Sequence, residues 1–118
     1  KLELGNMNAK RDWGHARDYV EAMWLMLQNK KPEDFVIGTG KQYSVRDFAK
    51  LAFDYVNLDY RKYVIVKEKL KRPSEVDTLL ANPLKAKRLL GWKPKVTFKK
   101  LVHDMVQSDL DFVEKEGY

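Results

Sequence analysis

The 118-residue sequence has no cysteine, which excludes a disulfide framework, a thiolate nucleophile and any sulfur-based zinc site. Histidine is scarce: only His15 and His103 occur, and neither is placed beside a serine as nucleophilic catalysis requires. Long apolar runs are missing too. The longest, Ala22 to Leu27, falls far short of the roughly 20 residues a membrane helix needs, so no membrane association is expected. The opening residues lack the pattern of a secretory signal, and a cytoplasmic location is the expectation. No HExxH, EF-hand loop or P-loop occurs, and Gly38-Thr39-Gly40 lacks the third glycine and following pattern of a dinucleotide fingerprint. No catalytic residue can be assigned, and no cofactor is expected to bind this chain alone.

What is present is the composition of a folded chain. Hydrophobic residues make up 44% and charged residues 34%, a balance that favours a packed core under a well-solvated surface. The length fits one unit, residues 1–118, with little room for a second core. The 23 Lys and Arg against 17 Asp and Glu leave a formal charge of +6, which favours anionic partners. The cations are interleaved with carboxylates rather than gathered in one block, and no motif or aromatic stacking platform accompanies them, so no nucleic-acid partner is expected. The chain opens Lys1-Leu2-Glu3-Leu4 directly in strand-like sequence, and it is expected to begin inside a larger protein.

Periodicity then sets out the elements. Leu2 to Met7 reads as a short strand and turn. From Asp18 to Gln28 nearly every position is apolar, with Arg17, Glu21 and Gln28 on one narrow stripe, so this helix is expected to be covered on most sides until Pro32 ends it. Phe35 to Ile37 reads as a buried strand before the Gly38-Thr39-Gly40 turn. Ser44 and Asp47 form a capping box for a second helix. Tyr63 to Val66 is a strand by its β-branched and aromatic content. Asn82-Pro83 opens a third helix that Gly91 stops. Thr97 opens a fourth, with Phe98, Leu101, Val102, Met105 and Phe112 on one face and Gly117 at its end. The order β, α, β, α, β, α, α predicts an α/β fold with four main helices and short strands.

Two arginines differ from the solvated lysines. Arg11 lies in Ala9-Lys10-Arg11-Asp12-Trp13-Gly14-His15, immediately before the buried helix, so its backbone is expected to be rigid. Arg72 is held extended by the Pro73 that follows it. A guanidinium in such a setting suits phosphate oxygens, which its planar fork binds bidentately. Glu75, three residues beyond Arg72, suits the vicinal hydroxyls of a sugar or ribose. The plain alternative is that Arg11 pairs with Asp12 or Asp18 and Arg72 with Glu75, as surface ion pairs of little energetic weight.

The run Leu4 to Trp24, with Pro32 to Gly40, Tyr43-Ser44-Val45-Arg46, Arg72-Pro73-Ser74-Glu75-Val76-Asp77, and Lys85 to Lys87 followed by Gly91 to Pro94, resembles the GDP-mannose 4,6-dehydratases. These belong to the extended short-chain dehydrogenase/reductase superfamily. The resemblance covers nearly the whole chain in the family's order. It implies the fold of the C-terminal part of such an enzyme, its N-terminal dinucleotide-binding part absent. It also implies that Arg11 and Arg72 contact a nucleotide diphosphate and Glu75 the ribose, with Asn6 a further substrate-binding candidate and Lys10 adding positive field.

The parent activity so implied converts GDP-mannose to GDP-4-keto-6-deoxymannose with NADP, which takes a hydride from C4 and returns it at C6 after loss of water. The Tyr-x-x-x-Lys pair of that chemistry is not matched. Tyr63 has Lys67 four residues on, but in a strand those side chains share a face about 13 Å apart. The expected partners are GDP-mannose or GDP, and either the absent N-terminal domain or a second copy against the apolar first helix. Two other readings stand beside this one: a non-catalytic interaction module of the same fold, and part of another nucleotide-sugar epimerase or dehydratase. Lys69-Leu70-Lys71 stands where the family often carries aromatics, and Ala81-Asn82 where Gly-Asp is more usual.

Overall fold

The computed structural model describes residues 1–117. Short strands and four α-helices follow one another as β1 (Leu2–Leu4), β2 (Lys10–Arg11), α1 (Ala16–Gln28), β3 (Tyr43–Ser44), α2 (Val45–Tyr55), β4 (Val64–Val66), α3 (Leu84–Leu90) and α4 (Phe98–Glu116), with 3-10 turns at Tyr60–Lys62 and Glu68–Leu70. β1 pairs in parallel with β4, Leu2 opposite Val64 and Leu4 opposite Val66. β2 pairs antiparallel with β3, Arg11 opposite Tyr43. On its other edge Lys10 forms a parallel bridge to Thr78. Residues 2–11 and 64–79 therefore run side by side in the same direction.

Helix ends follow local chemistry. Ser44 accepts from the Asp47 N–H while the Asp47 carboxylate accepts from the Ser44 N–H, a complete capping box. Thr97 caps α4 by accepting from the Lys100 N–H, and Gly91 and Gly117 close α3 and α4 in the left-handed region, where glycine carries no Cβ penalty. At α3 the expected cap shifts by one residue: Pro83 occupies the N-cap, and Asn82 Oδ1 accepts from the Leu84 N–H at 3.2 Å.

One expectation changes. Phe35 to Ile37 forms no strand, because no described segment offers it a ladder. Phe35 and Ile37 still pack on the cluster of Ala22, Ala86 and Trp92, while Val36 points outward. The first helix, nearly all-round apolar as if to be covered on most sides, is covered on one side only, and leaves open the face expected of this chain without its N-terminal part. Asp18 and Ala22 are buried, whereas Val20, Met23, Trp24 and Leu27, recurring at helical spacing, are 60–82% exposed. On α4, Phe98, Leu101 and Val102 are buried as the shared face predicts, but Met105 and Phe112 are about half exposed.

A second packed layer joins α2 and α4 through aromatics. Phe98 stacks on Tyr43 at 4.0 Å and on Trp13 at 5.6 Å between ring centroids, and Trp13 meets Phe48 edge-on at 5.2 Å. Such contacts add about 0.5–1.5 kcal/mol each beyond the buried area. They pin Trp13, and with it the strand bearing Arg11.

Candidate functional site

β2 is short, but hydrogen bonds reach it from both sides. Its Lys10 N–H donates to the Asp77 carbonyl at 2.8 Å, and its Lys10 carbonyl accepts from the Leu79 N–H at 3.1 Å. This brings the Arg72-to-Asp77 segment against Arg11. The Arg11 guanidinium donates from Nη1 to the Lys10 carbonyl at 2.8 Å and from Nη2 to Glu75 Oε1 at 3.3 Å. Both side chains are about three-quarters or more buried, with 24% and 20% exposure. The plain pairing expected from spacing is thus corrected: Arg11 pairs with neither Asp12 nor Asp18, which accept from residues 39, 40 and 81 and from residues 95 and 96, and Glu75 pairs with Arg11 rather than with Arg72.

Arg72 is exposed and forms no ion pair among the described residues. Asn6 Oδ1 accepts from the Asn8 N–H at 3.0 Å, a local turn. The loop of Asn6 and the approach to Arg72 touch: a Cβ on Gly5 would lie 2.6 Å from the Leu70 carbonyl oxygen, so only glycine allows this approach. The four candidates lie on two adjoining segments. Arg11 and Glu75 are in direct contact, while Asn6 lies in the loop between β1 and β2 and Arg72 in the irregular segment that leads to Glu75.

Two carboxylates that the motif reading left without a role organise these surroundings. Asp12 Oδ1 accepts from the Thr39 N–H at 2.9 Å and the Thr39 hydroxyl at 2.6 Å; Oδ2 accepts from the Gly40 N–H at 2.9 Å and the Ala81 N–H at 3.3 Å. Asp18, 2% exposed, accepts from the Lys95 and Val96 N–H groups at 2.9 and 3.0 Å, and its carbonyl receives Trp92 Nε1–H at 2.8 Å. The available signal was a glycine-bearing turn whose N–H groups needed an acceptor. His15 also acts locally, its Nδ1 accepting from the Arg17 N–H at 3.1 Å as the cap of α1.

The Gly38-Thr39-Gly40 turn does not fit a dinucleotide. The Thr39 and Gly40 N–H groups are spent on Asp12, and Gly38 is buried, with Ala81 Cβ 2.2 Å from where a Cβ would sit. No cluster of three or more His, Asp or Glu suited to a metal occurs among the described residues. No described helix is long and apolar enough to cross a membrane.

The fold recurs in enzymes of known structure. A UDP-glucose 4-epimerase from Thermotoga maritima, solved with UDP-glucose, superposes with a TM-score of 0.85 at 27% identity, covering 96% of this chain and 36% of that one. A dTDP-glucose 4,6-dehydratase from Bacillus anthracis, solved with NAD, has the same fold (TM-score 0.85, 22% identity, 97% of this chain and 36% of that one). The chain thus has the α/β fold of the C-terminal part of an extended short-chain dehydrogenase/reductase. Within that class it belongs to the GDP-mannose 4,6 dehydratase family, whose profile matches residues 1–105.

Relatives named GDP-mannose 4,6 dehydratase include one from Arabidopsis thaliana, 51% identical over 116 residues (98% of this chain, 32% of the relative). Another, from Dictyostelium discoideum, is 50% identical over 130 residues (96% and 36%). A third, from Homo sapiens, is 46% identical over 129 residues (95% and 35%). The chain spans about a third of the length of the curated relatives it matches.

Proposed function

We propose that this chain is the GDP-sugar-binding C-terminal portion of a GDP-mannose 4,6-dehydratase, and that it is inactive alone. Residues 1–118 form one substrate-binding unit, and a dinucleotide-binding N-terminal part holds NADP in the parent enzyme. The observation that carries this reading is the Arg11–Glu75 contact, which joins the Ala9-to-His15 run to the Arg72-to-Asp77 segment. Its partly buried guanidinium presents a rigid positive fork, which suits a diphosphate. Arg72, exposed and without an ion pair among the described residues, supplies a second cation.

Glu75 uses Oε1 on Arg11, and a carboxylate has acceptor sites to spare on its second oxygen, here directed to ribose hydroxyls. Asn6 completes the loop beside them. The parent converts GDP-mannose to GDP-4-keto-6-deoxymannose. This chain's own residues bind and orient the nucleotide, and the redox chemistry belongs to the part that carries the cofactor. Its place is the cytoplasm, where a chain without cysteine needs no oxidising compartment.

The test is isothermal titration of the 118-residue chain with GDP-mannose and with GDP, with folding checked by circular dichroism. Both ligands are expected to bind, and Arg11→Ala or Arg72→Ala to weaken binding about ten- to hundredfold, the size of a lost charge-assisted hydrogen bond. A folded wild-type chain that binds neither ligand overturns the reading of a preformed site.

A further inference from the structure

The Arg11–Glu75 contact depends on a very small ladder. β2 and β3 share two residues each, and the Glu75-bearing segment is joined to β2 by a single bridge at Lys10 and Thr78. A pairing this short has little stability of its own. Asp12, the residue after Arg11, closes both flanks. Its Oδ1 holds Thr39, and its Oδ2 holds Gly40 together with Ala81. Thr39 and Gly40 lead into β3, and Ala81 ends the stretch that carries Arg72 and Glu75. The crossing is tight, since any side chain on Gly38 would overlap Ala81. A hydrogen bond from the Thr78 hydroxyl to Gln42 joins the same two flanks once more.

We propose that Asp12 is a positioning residue for nucleotide binding. Its ionised carboxylate locks the segments on either side of β2 and so fixes the Arg11 guanidinium against Glu75. The inference rests on the reading of Arg11 as a diphosphate ligand. Four donors converge on this carboxylate, none of them a cationic side chain. Its acceptor sites go to three backbone N–H groups and the Thr39 hydroxyl, and the neighbouring cation is left to Glu75 and a ligand.

Asp12→Asn is the sharpest variant because it keeps the shape. With the amide NH₂ toward Gly40 and Ala81 that flank is released; in the other orientation the NH₂ opposes the Thr39 N–H and keeps a bond only to the Thr39 hydroxyl, so the Thr39 flank is weakened. Two readouts separate positioning from bulk stability. In nitrogen NMR of the guanidinium groups, the two Arg11 Nη signals, assigned by their loss in Arg11→Lys, are expected to be resolved in the wild type and merged in Asp12→Asn as the side chain begins to rotate. In titrations with GDP at a temperature where both proteins are folded, affinity is expected to fall on the order of tenfold, and Asp12→Asn is expected to add almost nothing to Arg11→Ala, as coupled residues do. Resolved Arg11 signals that persist in Asp12→Asn overturn the proposal. A folded wild-type chain that does not bind GDP overturns the ligand reading instead, and the NMR comparison still decides the role of Asp12. Where Asp12→Asn does not fold, Thr39→Val, which removes the hydroxyl's bonds to Oδ1 and to the Lys41 backbone but keeps the Thr39 N–H on Oδ1, carries the same two comparisons.

Discussion

At the scale of single residues, carboxylates do the organising in this protein. Asp18 lies in the first turn of α1, where a negative charge meets the positive end of the helix. It is almost wholly buried yet forms no ion pair among the described residues; its Oδ2 accepts from both the Lys95 and the Val96 N–H groups. Asp18→Ala strands those two donors, at about 1–3 kcal/mol for each that stays dry, and a large drop in the urea midpoint is the expected outcome. Tyr19 reports on the same region through its proton. Burial first, then the charges of Asp12 and Asp18, raise its phenol above its ordinary value of 10.0. The unfolded chain thus loses this proton first as pH rises. The Tyr19 contribution to stability is whole below about pH 10 and is lost as pH climbs through the folded-state value. Denaturation midpoints of wild type and Tyr19→Phe measured from pH 8 to 11 should diverge only above pH 10, the wild type losing more.

At the scale of elements, local signals and tertiary signals part company. The capping box at Ser44 and Asp47 needs only neighbours in the chain, and it is present as the spacing predicts. Ser44→Ala removes the side-chain acceptor for the Asp47 N–H, and a loss of about 1 kcal/mol is expected in chemical denaturation. The same locality made Gly91, Thr97 and Gly117 readable as helix ends. Phe35 to Ile37 shows the limit: its residues suit a strand, but a strand also needs a partner, and β-branched composition cannot supply one. The site divides in the same way. Arg11 and Glu75 stand out from their chain neighbours and from family resemblance, and the structure puts them in contact across 64 positions. Asp12 looked like an ordinary flank of Arg11, because its four donors come from residues 39, 40 and 81, a convergence that no local pattern contains.

At the scale of the whole molecule, the chain has more surface than its size requires. Its radius of gyration is 17.1 Å, against about 13.5 Å for a compact domain of this length. Its accessible surface is 8917 Å², where a compact monomer of this mass exposes about 6,700 Å². The excess has the size of a large protein interface. Part of it is the stripe of Val20, Met23, Trp24 and Leu27, each 60% exposed or more. Burying one such side chain is worth about 1.5–3 kcal/mol, so the stripe can drive association on its own. The proposed function predicts that the dinucleotide-binding part covers it in the parent, and that in the isolated chain a second copy takes that place. Sedimentation velocity should then show oligomers growing with concentration. Trp24→Glu combined with Leu27→Glu should return the chain to monomer without disturbing Ala22, on the buried face of α1, or Trp92 packed against it. A chain that sediments as a monomer at every concentration, with the stripe intact, would show that self-association through this face is wrong.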